Sequence, residues 1–377
     1  MIPTKLGDFQ NLLLYEFFKN FVLSMLGIFI PILIYSETGS LLLPGLYLLV
    51  KALTGMIVAY PVMKILNSYG FRSGLSTSYL FLLPSILLIY LLEASVLVVS
   101  VVGVLYSVGA VFHTESRDLE FAEGSNREKR DLQTAHLMSL PNIGRLAGPA
   151  VGGTISALAG FQAMLATALI AALISLIPVR NIKLKSKTAK IELKSTFSRK
   201  NISYSPVFVS RGIQSYTSVA LFSLFTYIFI AGSISSGLVR SMDTLGFMIM
   251  AYFSGYISSK YSRLRIITAG AIISGAIYIA RIYVGTSLEA FIVSILGGLA
   301  FKLYHIPLFS DFADRAEKSE ERSFYTAKKI FNSTGKALTI GIFLISASAG
   351  TKQAFTTVFI LAAASTGVMA FTQKNHT

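Results

Sequence analysis

Cysteine and tryptophan are missing from this sequence, and charge is scarce. Without cysteine there are no disulfides, no thiolate metal ligands and no thiol nucleophile. Without tryptophan, anchoring at a membrane surface falls to the 18 tyrosines. Only 14% of the 377 residues are charged, against about 25% in a soluble domain. No phosphate-binding loop occurs, so the chain has no ATP engine of its own. No soluble region is available to hold a Ser–His–Asp set. The histidines have only carboxylates near them and no His-x-x-x-His spacing, so neither a metal nor another cofactor is expected. What is there instead is apolar, 53% of the chain. The net charge of +15 would suit nucleic acid. The basic residues, however, lie between apolar runs and no nucleic-acid motif accompanies them. The first ten residues, MIPTKLGDFQ, lead into a long apolar run without a clear small-residue cleavage site, unlike a removable signal peptide.

A spanning helix takes about 20 apolar residues. Twelve such runs can be read, at about 11–36, 41–66, 73–92, 95–114, 132–158, 160–179, 204–232, 235–259, 264–285, 287–309, 325–348 and 352–371. The fold expected is an all-α membrane protein of twelve transmembrane helices. The longest polar stretch, Arg180 to Asn201, lies near the middle and sets eight Lys or Arg against Glu192 alone. It reads as a cytoplasmic linker. It divides the chain into a six-helix bundle over 1–179, a linker over 180–203 and a second bundle over 204–377. With both termini placed in the cytoplasm, Lys and Arg collect in the inner segments, and the outer turns hold only Lys352. That is the positive-inside pattern of a multi-pass protein of the cytoplasmic membrane.

An offset of 192 residues lays Lys19 on Arg211, His113 on His305, Lys51 on Asp243 and Arg130 on Arg322, and Thr134-Ala135 on Thr326-Ala327. Several coincidences at one offset point to duplication, which makes the two bundles pseudo-symmetric.

Three local motifs go further. Met63 to Arg72 reads MKILNSYGFR, and Gly255 to Arg265 reads GYISSKYSRLR. The third, Gly144 to Gly153, reads GRLAGPAVGG. Gly144, Gly148 and Gly152 share one helix face, which lets another helix approach closely. Pro149 has no N–H, so the helix can bend there; ordinary small-residue packing is the alternative. Together with the topology, the chain resembles the major facilitator superfamily. The first two stretches resemble its loop between helices 2 and 3. Gly70 and Arg72 survive in one copy, and Gly255, Arg263 and Arg265 in the other. Asn67 and Ser259 stand where the family has its acid. The third resembles the family's antiporter motif, formed here by Gly144, Gly148, Pro149, Gly152 and Gly153, with Arg145 inside it. The resemblance implies a monomer that rocks two halves around a small-molecule substrate site. The antiporter motif implies export coupled to protons.

Ionisable residues within spans are costly and therefore candidates for function. Glu16 and Lys19 lie three apart and can pair, either as a proton-coupling device or as a local ion pair. Arg240 and Asp243 have the same spacing. Lys51 and Asp243, equivalent by repeat, could attract across the two bundles, or Asp243 could be neutralised by Arg240. Lys19 and Arg211 would favour an anionic substrate if both face the cavity. His113 and His305 precede acid-rich stretches, with Arg130 and Arg322 downstream. They are expected to take part in a cytoplasmic gate or in plain helix capping. Export of a small molecule coupled to protons is the first expectation, and uptake or uniport of an organic anion the alternative. A non-transporting sensor of the same fold would use a soluble domain or long tail, and the sequence ends at FTQKNHT, just past the last run.

Overall fold

Apolar runs become helices here because backbone groups in hydrocarbon must find their hydrogen bonds within their own segment. The computed structural model describes the backbone of residues 6–124, 130–181, 192–317 and 321–374. Side chains are described for these except 6–10, 118–124, 130–140, 181, 231, 254–256, 258–260, 309–317, 321 and 370–374. Among the described residues the structure is helical, with no strand. In order come α1 Leu6–Thr38, α2 Leu42–Leu91, α3 Val96–Gly124, α4 Arg130–Asn181, and the short α5 Leu193–Thr196 and α6 Arg199–Ile202. Then follow α7 Ser205–Tyr216, α8 Phe222–Thr226, α9 Gly232–Lys260, α10 Arg263–Ala280, α11 Ser287–Glu317, α12 Glu321–Ala347 and α13 Thr351–Lys374. Two π-helical segments, Thr217–Leu221 and Tyr227–Ala231, flank α8.

Among the described residues eight stretches are long and apolar enough to cross a membrane, where twelve separate helices were expected. Part of the difference lies in α2 and α4, of 50 and 52 residues, each of which holds two expected helices. Each breaks at a single glycine: Gly70 (φ 81°, ψ 164°) and Gly160 (φ 85°, ψ 169°). Only glycine takes such angles without a Cβ clash. The chain doubles back at both. Leu66 lies against Gly74, which a straight helix rising about 1.5 Å per residue would hold about 12 Å away. In α4, Gly144 packs on Phe17 of α1, while Ser175 bonds Tyr79, whose ring carries Lys19 of the same α1 turn. Residues on either side of Gly160 thus return to one level.

The first arm of α4 lies along α1, and α2 lies along α3. Later in the chain α9 lies along α11, α7 along α12, and α10 against α11 and α13. Two seams join these groups, α4 against α9 and α2 against α12. The polar stretch contributes α5, which rests on α12 through a 2.7 Å hydrogen bond between Ser195 and Ser323. One apolar cluster runs between the groups through Phe29, Tyr47, Phe222, Phe225 and Phe355. Large apolar residues such as Ile57, Leu80, Leu97, Leu158 and Ile345 stay exposed on the outside. So much exposed apolar surface suits hydrocarbon and not water.

Candidate functional site

The Gly144–Gly153 stretch of α4 works on two sides. A Cβ on Gly144 would overlap the carbonyl of Phe17, one on Gly148 the carbonyl of Phe21, and one on Gly152 the side chain of Met25. Both helices advance together four by four, so α4 and α1 run parallel with backbones in contact. The other side makes the seam with α9. Gly237 abuts the carbonyl of Pro149, Gly153 abuts the carbonyl of Ser233, and Ser241 donates to the carbonyl of Leu146 at 2.7 Å. The reversal in α4 falls at Gly160, between two expected helices, and Pro149 lies within the first arm, at the seam with α9.

Arg145 points from the motif toward α1. Its Nη2 donates to Asn20 Oδ1 at 2.8 Å, and Asn20 Nδ2 donates to Glu16 Oε2 at 2.9 Å. Glu16 is buried, and its Oε1 accepts no hydrogen bond. That oxygen lies 4.0 Å from Nδ1 of His113, which bonds the Tyr15 hydroxyl at 2.9 Å. The expected Glu16–Lys19 pair is absent. Lys19, fully buried, donates to Ser78 at 2.9 Å and sits 3.7 Å above the Tyr79 ring. The spacing allowed a pair, but α2 brings a hydroxyl and a ring that outcompete the carboxylate, which Asn20 holds.

The repeat mates of Lys19 and His113 also share one neighbourhood. Arg211 lies 4.4 Å from the Phe301 ring centroid, and His305 stacks on the same ring with centroids 5.1 Å apart. Arg211 Nη1 has no hydrogen-bond partner. Beside them Lys302 of α11 sits 3.9 Å above Phe247. Gln214, one turn after Arg211, accepts from Tyr304. His113 is buried and His305 partly buried, each against aromatic rings of its own bundle. The acid-rich stretches expected beside them fall mostly outside the described residues.

Lys51 lies 4.0 Å from the Tyr106 ring and 5.6 Å from Tyr47. From α12, Lys336 lies 5.3 Å from the ring of Tyr216, whose hydroxyl donates to the carbonyl of Leu48 at 3.4 Å. Tyr47 and Tyr106 meet edge to face at 6.5 Å. The buried Tyr47 hydroxyl has no hydrogen-bond partner. Two lysines and three tyrosines from α2, α3, α7 and α12 therefore gather along the α2–α12 seam.

Asp243 is elsewhere, correcting the expected attraction to Lys51. It pairs with Arg240 on α9 and its backbone presses on Gly298 of α11. Its charge also acts on Arg281, which is buried, donates to Ser218 at 2.9 Å and lies 4.4 Å from the Phe222 ring. Of the expected gate residues, Arg322 donates across the seam to Asn67 of α2. Arg72 instead ties the second arms of α2 and α4, donating to the carbonyl of Arg180 at 2.9 Å. Gly70 makes the reversal in α2, and Arg263 is exposed at the start of α10. The side chains at Arg130 and Gly255 lie outside the described residues.

The chain matches the sequence model of the Major Facilitator Superfamily over residues 12–327. It belongs to that superfamily. Its fold also matches a solved variant of the Escherichia coli fucose:proton symporter FucP, with a TM-score of 0.63 and 12% identity. That match covers 99% of this chain and 100% of the other. A search of curated sequences returns no match. The protein is thus a multi-pass secondary transporter and not an enzyme.

In this superfamily member, sequence reading missed Asn20, Tyr47, Tyr106 and Tyr216 as site residues. One signal was present: Tyr47 and Lys51 are four apart and share a helix face. The π-helical segment starting at Thr217, which immediately follows Tyr216, left no comparable mark; such turns often occur at functional sites.

Proposed function

We propose that this transporter exports a small molecule by alternating access, driven by protons moving the other way. One observation carries the reading. The buried carboxylate of Glu16 is linked through Asn20 to Arg145, within the antiporter-like motif that forms the α4–α9 seam. A proton on Glu16 would change what Asn20 and Arg145 can bond, and so the fit of α4 between α1 and α9. In this reading the chain crosses the membrane twelve times: eight apolar stretches, α2 and α4 each used twice, plus α9 and α13. Residues 1–179 and 204–377 are the rocking halves, 180–203 joins them, both termini are cytoplasmic, and the unit is a monomer in the cytoplasmic membrane. The seams α4–α9 and α2–α12 are where the halves slide.

The test is dye-reported proton movement in proteoliposomes under an imposed pH gradient, with a panel of lipophilic cations and organic anions. Wild type is expected to dissipate the gradient with at least one compound, and Glu16→Gln is not. Equal responses would make Glu16 a structural group. A second reading, uptake or uniport of an organic anion, draws on Lys19, Lys51, Arg211, Lys302 and Lys336 in the interior.

A further inference from the structure

Lys51 lies against Tyr47 and Tyr106 on one side of the α2–α12 seam, and Lys336 lies against Tyr216 on the other. Among the described residues neither ammonium has a hydrogen bond or a carboxylate within ion-pair distance; each rests only on aromatic rings. Charges that act on them are positive: Lys329 on both, and Lys51 and Arg211 on Lys336. A cation held in a bundle without an anion is costly, and ring faces repay only part of that cost. The seam itself is close here. A Cβ on Gly55, one turn after Lys51, would lie 3.1 Å from Ser333 Oγ of α12. The Tyr47 hydroxyl, buried beside Lys51, has no partner. The site therefore has two ammonium donors and a phenol donor, and among the described residues no carboxylate pairs with either ammonium.

We propose that the transported molecule is a small organic anion, its carboxylate or phosphate group bridging Lys51 and Lys336 with the Tyr47 hydroxyl as a third donor. This rests on the alternating-access reading above and names its substrate class. It also explains how cargo permits the halves to close. Empty, the two lysines repel across the seam. With an anion between them the repulsion becomes two charge-assisted hydrogen bonds. The tyrosine rings that held the ammonium groups then line the body of the bound molecule.

The experiment uses the full chain in lipid nanodiscs. Its lack of cysteine makes Leu42→Cys and Ile345→Cys unique spin-label sites near one end of the seam. Probes are benzoate, succinate and inorganic phosphate, beside benzamide, succinamide and tetraphenylphosphonium. Binding is read by ligand-dependent melting and closure by the label–label distance distribution. At least one anion is expected to bind wild type and shift the distribution, while its neutral counterpart and the cation do neither. Lys51→Gln and Lys336→Gln should each weaken that binding about tenfold or more, the loss of one charge-assisted bond. Lys51→Arg with Lys336→Arg, which must melt like wild type, should retain it. The double glutamine variant should populate the anion-bound distribution without ligand. Binding that is indifferent to charge, that survives both glutamine changes, or that is absent for every anion overturns the proposal. If neutral probes or the cation move the labels, the anion assignment falls and alternating access stands. If anions bind through both lysines but the labels never move, the site stands and alternating access falls.

Discussion

Arg145 donates to Asn20 at 2.8 Å, and this bond is what connects the motif on α4 to the carboxylate of Glu16 on α1. Among the described residues Asn20 bonds both groups, so Asn20→Ala separates a coupling role from a structural one. The expected outcome is a loss of proton-driven flux of about tenfold, one charge-assisted bond, with substrate exchange at equal pH on both sides retained. Flux under a pH gradient, divided by exchange without one, is the quantity to measure. An unchanged ratio would confine the Glu16–Asn20–Arg145 chain to holding α1 against α4.

The motif glycines make a stability prediction. Gly148→Ala would drive a methyl into the Phe21 carbonyl and Ser24 hydroxyl. Backbone cannot swing aside as a long side chain can, so the cost should be about 1–3 kcal/mol of overpacking. Gly341→Ala is the control, with nothing within 4 Å of the added carbon. Because alanine is the better helix former by about 0.5–1 kcal/mol, this change should leave melting unaltered or raise it. Melting curves in detergent decide; equal behaviour of the two variants would mean that the α1–α4 contact is slack.

Asp243 compensates more than one cation. Asp243→Asn leaves Arg240 without its partner and withdraws a negative charge from Arg281. Breaking a buried pair typically costs about 3–5 kcal/mol. With side chains 14% and 18% exposed, the lower end is expected. Adding Arg240→Gln should recover part of the loss, the remainder belonging to Arg281. A single variant that melts like wild type would show the pair to be ornamental.

Charge bookkeeping separates export from uptake. An anion leaving while a proton enters moves two charges down an inside-negative potential, about 4.6 kcal/mol per 100 mV. Uptake of a monoanion with one proton moves none. Flux of the best anion should therefore respond steeply to a potassium-diffusion potential imposed at equal pH. A flux indifferent to potential would favour the uptake reading.

Much of the architecture was legible in the residues. Apolar run length registers in one dimension, and the runs are helices in the structure. Lys19 and His113 share one neighbourhood, and Arg211 and His305 another. The reversals at Gly70 and Gly160 were placed correctly as turns, and each takes a single glycine that breaks the helix.

Partner choice was not legible. Glu16 and Lys19 are three apart on one helix, yet Lys19 turns to Ser78 and Tyr79 while Asn20 takes the carboxylate. Lys51 and Asp243 are repeat mates, yet one meets tyrosines and the other Arg240. Sequence by itself determined the family, the helical membrane-crossing character and the glycine face of the motif, because these depend on composition, period and local backbone chemistry. Tertiary structure alone decided which charge meets which group. A long side chain in a low-dielectric interior follows the best donor, acceptor or ring that a neighbouring helix brings within reach, and that neighbour comes from a distant part of the chain.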